Sequence, residues 1–218
     1  MQVFLVLLAV FIIFVALLWL LVPAWYGLPP VTTNRERIRK ALELVNEPTC
    51  RPWHRAVLLH ALGVAHAKKE EFIDAVASFR ESLHIKQSDG ASLESQMRTR
   101  MQLAWSLLNA SDYSAVESET TILESQLALL PTERTKRDEL LWLRGWLHIH
   151  TRNPSGSLRA WTDLIARLAE DEPLFVDTLS SLNLMEDALR ELSSVHADEL
   201  ALLMQPLRAK LSEAGPQP

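Results

Sequence analysis

The sequence predicts an all-α protein. It would contain an N-terminal transmembrane helix, an array of about three helical hairpins with a period of 41 residues, and C-terminal capping helices. Residues 3–22 form an uninterrupted apolar run. The small residues Gly63, Ala104 and Gly145 follow at intervals of 41, each inside an apolar, helix-forming stretch. Glycine is scarce, with 6 in 218 residues, and this composition favours helix over strand.

The apolar run at 3–22 predicts a permanent membrane anchor, so the lipid bilayer is one expected partner. A helix of that length spans about 30 Å, which matches the hydrocarbon core of a bilayer. No basic segment precedes the run and no small-residue cleavage site follows it, so we expect an anchor rather than a signal peptide. Trp19, Trp25 and Tyr26 are expected at the membrane interface.

The charges that follow the anchor predict its orientation. Four basic residues and one acidic residue lie within 35–40, and no basic side chain precedes the anchor. Because basic flanks tend to stay on the cytoplasmic side, we expect a single-pass cell-membrane protein with a cytoplasmic C-terminal part. The basic cluster lies well beyond the apolar run, so an envelope-facing domain remains an alternative.

The segment 55–86 carries a two-helix pattern of large, small and aromatic residues. The first helix supplies Leu59, Leu62, Gly63 and His66, and the second supplies Ala75, Phe79 and Ser82. This pattern resembles the tetratricopeptide repeat family, in which two antiparallel helices touch at such positions. The resemblance implies that Gly63 permits a close helix crossing opposite Ala75 and that Phe79 fills the space toward the next repeat.

Two further copies follow when the interval of 41 is added. They place Ala104 in the second repeat, and Gly145 and Trp161 in the third. The family's usual period is about 34 residues, so this interval implies longer helices or longer linkers. An unrelated helical array or a plain bundle remains an alternative to tetratricopeptide-like repeats.

The segments between and around the repeats give a predicted domain organisation. We expect helices at 34–45, 173–192 and 197–214, a kink at Pro206, and a turn at 153–156. The predicted order is an anchor with interfacial flank (1–24), a Pro-rich linker (25–33), a lead-in helix (34–52), three repeats (53–170), a helical cap (171–214) and a disordered tail (215–218).

Composition and motif spacing argue against several functions. A net charge of −5 disfavours nucleic-acid binding through a broad basic face. No histidine spacing suits a metal, and no phosphate-binding or nucleophile motif is present, so we expect no metal, no cofactor and no enzyme activity. Residues 26–30 and 35–44 resemble the leader before some bacterial membrane-anchored methyltransferase domains. Without a glycine-rich cofactor loop, that resemblance implies a bacterial source but not the activity.

The tetratricopeptide resemblance also implies a concave groove lined by the first helix of each pair. The positions concerned are His60, Val64, Met101, Trp105, Trp142 and Trp146. An aromatic groove suits an apolar ligand such as an amphipathic helix, although the same rings could pack against the protein's own C-terminal helices. We therefore expect a protein–protein scaffold, a bacterial assembly or complex-organising factor with an unidentified protein partner. The alternatives are an envelope-facing assembly factor and a structural subunit whose groove is already filled.

Overall fold

The computed structural model describes residues 34–130, 132–170 and 176–213. Within these ranges the chain forms nine helices and no strand, which confirms the all-α prediction. The helices are α1 (Asn34–Val45), α2 (Pro52–Ala67), α3 (Phe72–Ser88), α4 (Leu93–Asn109), α5 (Tyr113–Ala128), α6 (Arg134–His150), α7 (Pro154–Glu170), α8 (Val176–Leu192) and α9 (Ser194–Glu213).

The predicted membrane anchor falls outside this part of the chain. Residues 3–22, the interfacial Trp19, Trp25 and Tyr26, the linker at 25–33 and the tail at 215–218 all lie outside the described residues. Among the helices α1–α9, none is both long enough and apolar enough to cross a membrane.

Three consecutive helix pairs begin at equal intervals along the chain. The first helices, α2, α4 and α6, begin at Pro52, Leu93 and Arg134, and the second helices, α3, α5 and α7, begin at Phe72, Tyr113 and Pro154. Both series advance by 41 residues. Each turn also holds a left-handed residue two positions before the second helix: Glu70, Ser111 and Arg152, with φ of 63°, 63° and 55°. Left-handed backbone costs an L-residue about 1–2 kcal/mol, so its recurrence indicates one turn geometry used three times.

The described residues form two compact units, one ending at Ala110 and the other beginning at Ser111. In the first unit, α2 and α3 meet where Gly63 faces Phe79. A Cβ on Gly63 would lie 2.7–2.9 Å from three ring carbons of Phe79, closer than real contacts allow. The three nearest atoms belong to Phe79, and the expected contact with Ala75 stays a prediction. Phe79 lies one helical turn beyond Ala75 on the same face of α3, and its larger ring covers the glycine.

The helix α1 packs against α2. Its Ile38 and Ala41 form a small buried cluster with Leu62. The pair α2 and α3 is also linked by a buried hydrogen bond, in which the Ser82 hydroxyl donates to the Ala56 carbonyl at 2.6 Å. The first unit therefore has a core of its own, built from α1–α4.

The second unit repeats the glycine contact between α6 and α7. Gly145 and Trp161 are separated by the same number of residues as Gly63 and Phe79, and the indole of Trp161 occupies the space that a Cβ on Gly145 would need. The Ser157 hydroxyl donates to the Gly145 carbonyl at 3.1 Å. A close helix crossing therefore recurs in this unit with a larger aromatic ring.

The helix α7 begins earlier than the sequence predicted. Residues 153–156 were expected to form a turn because Asn-Pro and Ser-Gly break helices, but Pro154 is the first residue of α7. The side-chain oxygen of Asn153 accepts a hydrogen bond from the Gly156 N–H at 3.0 Å. Proline is well suited to a first helical position, where its missing N–H costs nothing, so these residues start the helix.

The last helix also begins earlier than expected. The sequence predicted a start at Ala197, whereas α9 begins at Ser194 and continues through Pro206. The Ser193 hydroxyl lies 2.7 Å from His196 Nδ1, which gives the helix start a local side-chain partner. The cap helix therefore contains three residues, 194–196, that the sequence had not assigned to it.

Candidate functional site

Three tryptophans of the second unit form one aromatic cluster. The ring centroids of Trp142 and Trp146 are 5.8 Å apart. The ring centroid of Trp161 lies 6.2 Å from that of Trp142 and 5.6 Å from that of Trp146. Trp161 is fully buried, whereas Trp142 and Trp146 are half-buried. These separations are typical of interacting aromatic rings, so the cluster joins α6 to α7.

The C-terminal helices complete the core on which this aromatic cluster rests. Trp142 and Trp146 pack against buried side chains that come largely from α8 and α9: Leu182, Met185, Leu189, Ala197, Leu200, Met204 and Leu207. Of the two interpretations left open by the sequence, this packing favours rings that contact the protein's own C-terminal helices. Only the remaining exposed parts of Trp142 and Trp146 are available to a partner.

The predicted groove residues of the first unit have different environments. Met101 and the repeat-packing residue Ala104 are completely buried, because they lie on the face of α4 that forms core. Met101 is therefore a core side chain and lines no open surface. His60, Val64 and Trp105 are partly buried. Trp105 belongs to the first unit and Trp142 and Trp146 to the second, so a surface shared by all three stays a prediction.

A buried lysine in the first unit was not singled out from the sequence. Lys86 is 8% exposed, and its ammonium donates to Thr99 Oγ1 at 2.7 Å and to the Ser95 carbonyl at 3.3 Å. Thr99 Oγ1 also lies 3.1 Å from His60 Nδ1. A sequence signal existed: Lys86 lies seven residues after Phe79, on the stripe of α3 that forms core.

The ionisation of this network is shifted by burial. Burial lowers the pKa of His60 to about 4, with further lowering from the charges of Lys86 and Arg98. Burial also lowers the pKa of Lys86, again with a contribution from Arg98. Among the described residues no carboxylate lies within salt-bridge distance of Lys86. Lys86 is thus hydrogen-bonded to neutral oxygens alone, although burying a charge without an ionic partner is costly.

A cavity adjoins Lys86. Its volume is about 140 Å³, and it is lined by Trp53, Ala56, Val57, Ile85, Lys86, Asp89, Ala91 and Ser95. Trp53 and Asp89 are exposed, so the cavity opens to solvent beside them. The wall is mostly apolar, and Lys86 is its buried charge.

A second cavity lies within the second unit. Its volume is about 420 Å³, and it is lined by Glu124, Leu127, Ala128, Arg137, Leu140, Leu141, Asp163 and Arg167. Arg167 Nε donates to Asp138 at 2.5 Å, and Arg144 forms an ion pair with Glu124. Acidic and basic side chains alternate here, so the cavity has no pronounced preference for either sign of charge.

One trio of possible metal ligands occurs in the described part of the chain. Donor atoms of His66, Glu71 and Asp74 all lie within 4.8 Å of one another. His66 Nδ1 is 2.6 Å from Glu71 Oε2, and Lys69 Nζ is 3.8 Å from the same carboxylate. The hydrogen bond with His66 lowers the pKa of Glu71. Glu71 is thus engaged by its neighbours in an exposed turn, and the trio carries no metal assignment.

Comparison with protein-family models, with curated proteins and with solved structures gave no match. The tetratricopeptide resemblance therefore rests on the residues of this chain alone.

Proposed function

We propose that the protein is a membrane-anchored scaffold that holds a partner protein on an array of helical hairpins, as a bacterial assembly or complex-organising factor. The observation that carries this proposal is the regular interval of 41 residues, which recurs in the helix starts and in the left-handed turn residues. Proteins built from such repeats present extended binding surfaces rather than enclosed reaction chambers. The motif positions of a tetratricopeptide-like repeat agree with that architecture.

Exposed apolar side chains on the cap support a protein partner. Val195 and Leu202 of α9 are 73% and 64% exposed, and their spacing of seven residues puts them on one face of the helix. The terminal element of a repeat array ordinarily has a polar outer face. An apolar face at this position favours contact with an apolar surface of another protein, such as an amphipathic helix.

A structural subunit of a membrane complex is the second candidate. It is favoured by the packing of Trp142 and Trp146 against a core that α8 and α9 complete. In that case the predicted groove is filled permanently, and partners contact only the outer surfaces. An adaptor would release its partner, whereas a subunit would retain it.

Co-purification of the full chain from membranes in mild detergent tests the scaffold proposal. We expect a stoichiometric partner with the wild type and with Gln205→Glu, an exposed substitution on the same helix. Leu202→Glu adds the same charge but removes an exposed apolar side chain, so it should lose the partner. A partner-free chain in all three preparations contradicts the proposal. Exchange of the partner onto an added untagged chain distinguishes an adaptor from a permanent subunit.

The membrane anchor and its orientation need a separate test. The chain should stay in the membrane fraction after alkaline washing, and its N-terminal sequence should retain residues 3–22. A reporter fused to the C-terminus should be active in the cytoplasm if the basic residues at 35–40 set the orientation. Release by washing argues against the anchor, and activity only outside the cytoplasm favours the envelope-facing alternative.

A further inference from the structure

We propose that the cavity beside Lys86 binds a small monocarboxylate with a short apolar chain. This inference goes beyond the scaffold proposal and does not depend on it. It rests on a buried ammonium with an unused donor, on the apolar wall around it and on the size of the cavity.

The ammonium of Lys86 has one hydrogen-bonding position to spare. It has three N–H donors, of which two are used by Thr99 Oγ1 and the Ser95 carbonyl. Both acceptors are neutral oxygens, so the positive charge has no ionic partner among the described residues. Thr99 and Ser95 fix the position of the ammonium, and Lys86 and Ser95 both line the cavity. A bound carboxylate would supply the negative charge and the third acceptor.

The start of α4 adds to the positive potential of the cavity. Ala91 and Ser95 line it at the beginning of this helix, and the N-terminal end of a helix favours an anion. Arg98 contributes a further positive charge, which its ion pair with Glu94 at 3.1 Å partly offsets. The Lys86 ammonium, the start of α4 and Arg98 each favour an anion at this end of the cavity.

The walls and the mouth of the cavity restrict the polarity, the size and the total charge of the ligand. Trp53, Val57 and Ile85 give an apolar wall, which suits a hydrocarbon chain. A volume of about 140 Å³ leaves room for an acid of a few carbons. The exposed carboxylate of Asp89 at the mouth disfavours a second negative charge.

Calorimetric titration of the full chain with butyrate tests the inference. We expect saturable binding that butyramide, which has the same shape without the charge, does not reproduce. Succinate should bind more weakly than butyrate because its second carboxylate meets Asp89. Absence of butyrate binding at tens of millimolar, or equal binding of butyramide, overturns the inference.

The variant Lys86→Met removes the charge at similar length. It should weaken butyrate binding about tenfold or more, because a hydrogen bond to a charged group is lost. Lys68→Met removes a charge from an exposed lysine of the same unit and should bind as the wild type does. Without ligand, Lys86→Met should unfold at an equal or higher temperature, since it relieves a buried charge. Unchanged binding in Lys86→Met overturns the inference.

A second variant covers the possibility that Lys86→Met does not fold. Val57→Phe leaves the ammonium in place and adds bulk to the cavity wall. We expect it to lose butyrate binding while its helical circular dichroism stays that of the wild type. Retained binding in a folded Val57→Phe variant contradicts a ligand within this cavity.

Discussion

At the scale of single residues, the contact between Gly63 and Phe79 determines how closely α2 and α3 approach. Because Phe79 is completely buried, its ring can make room for an added side chain only by displacing other core side chains. Gly63→Leu should therefore lower the free energy of unfolding by about 1–3 kcal/mol or more through overpacking. Denaturant titration measures this, with Ala61→Leu on the exposed side of the same helix as control. Equal midpoints for the two variants contradict the close crossing.

The buried His60 makes stability depend on pH in a defined window. Its pKa is about 4 in the folded protein and about 6.5 in an unfolded chain. As pH falls from about 6.5 to 4, His60 binds a proton in the unfolded state but not in the folded state, so the free energy of unfolding decreases. The loss should reach roughly 3 kcal/mol, whereas above pH about 6.5 His60 contributes no pH dependence.

The His60→Gln variant isolates this effect from other groups that titrate in acid. His148, whose pKa is also lowered by burial, and the carboxylates remain in both proteins. The denaturation midpoint of the wild type should therefore fall more steeply than that of the variant between pH about 6.5 and 4. Parallel curves would show that His60 is not the responsible group.

At the scale of elements, the turns between paired helices carry backbone strain that their residues do not relieve. Glu70 has a φ of 63°, and glycine adopts this region without a Cβ penalty. We expect Glu70→Gly to raise the free energy of unfolding by up to about 1 kcal/mol. Ala77→Gly, at an exposed position inside α3, should lower it by about the same amount. Thermal melts of both variants measure the contrast, and two changes of the same sign contradict the turn geometry.

The cap helix α9 has one face in the core and one face in solvent. Leu200 is fully buried, whereas Leu202, two residues further, is 64% exposed. Leu200→Ala should cost about 2–5 kcal/mol through lost burial and a cavity, and Leu202→Ala should change stability by about 0.5 kcal/mol or less. Urea titrations of the two variants measure this difference. Similar losses of stability in the two variants would contradict the burial of Leu200 and the exposure of Leu202.

At the scale of the whole molecule, the sequence predicted the helical architecture because its apolar residues recur with helical spacing. The glycines at 63 and 145 mark close crossings, and an aromatic ring fills each one. Lys86 and Met101 were harder to place from sequence. Lys86 can be buried because Ser95 and Thr99 of another helix supply its acceptors, and Met101 is buried by tertiary packing. The sequence shows that Lys86 lies on the core-forming stripe of α3, but it shows neither its acceptors on another helix nor the packing around Met101.

The left-handed turn residues were equally hidden from sequence. Glu70, Ser111 and Arg152 include no glycine or asparagine, the residues that ordinarily signal this backbone region. Residue type therefore gives no indication of the left-handed position in these turns. Likewise, the sequence did not decide whether Trp142 and Trp146 pack against α8 and α9, because no motif specifies the packing partners of these two helices.

The core of the first unit predicts that residues 34–110 fold without the rest of the chain. This fragment keeps the contact between Gly63 and Phe79, the packing of α1 on α2 and the hydrogen bonds of Lys86. Circular dichroism should show a helical fragment with a cooperative thermal transition. A chain of this size buries a smaller fraction of its surface than a large domain and is only marginally stable. The same fragment with Gly63→Leu should therefore unfold at room temperature. If the unsubstituted fragment is helical but melts without cooperativity, the first unit has no sufficient core.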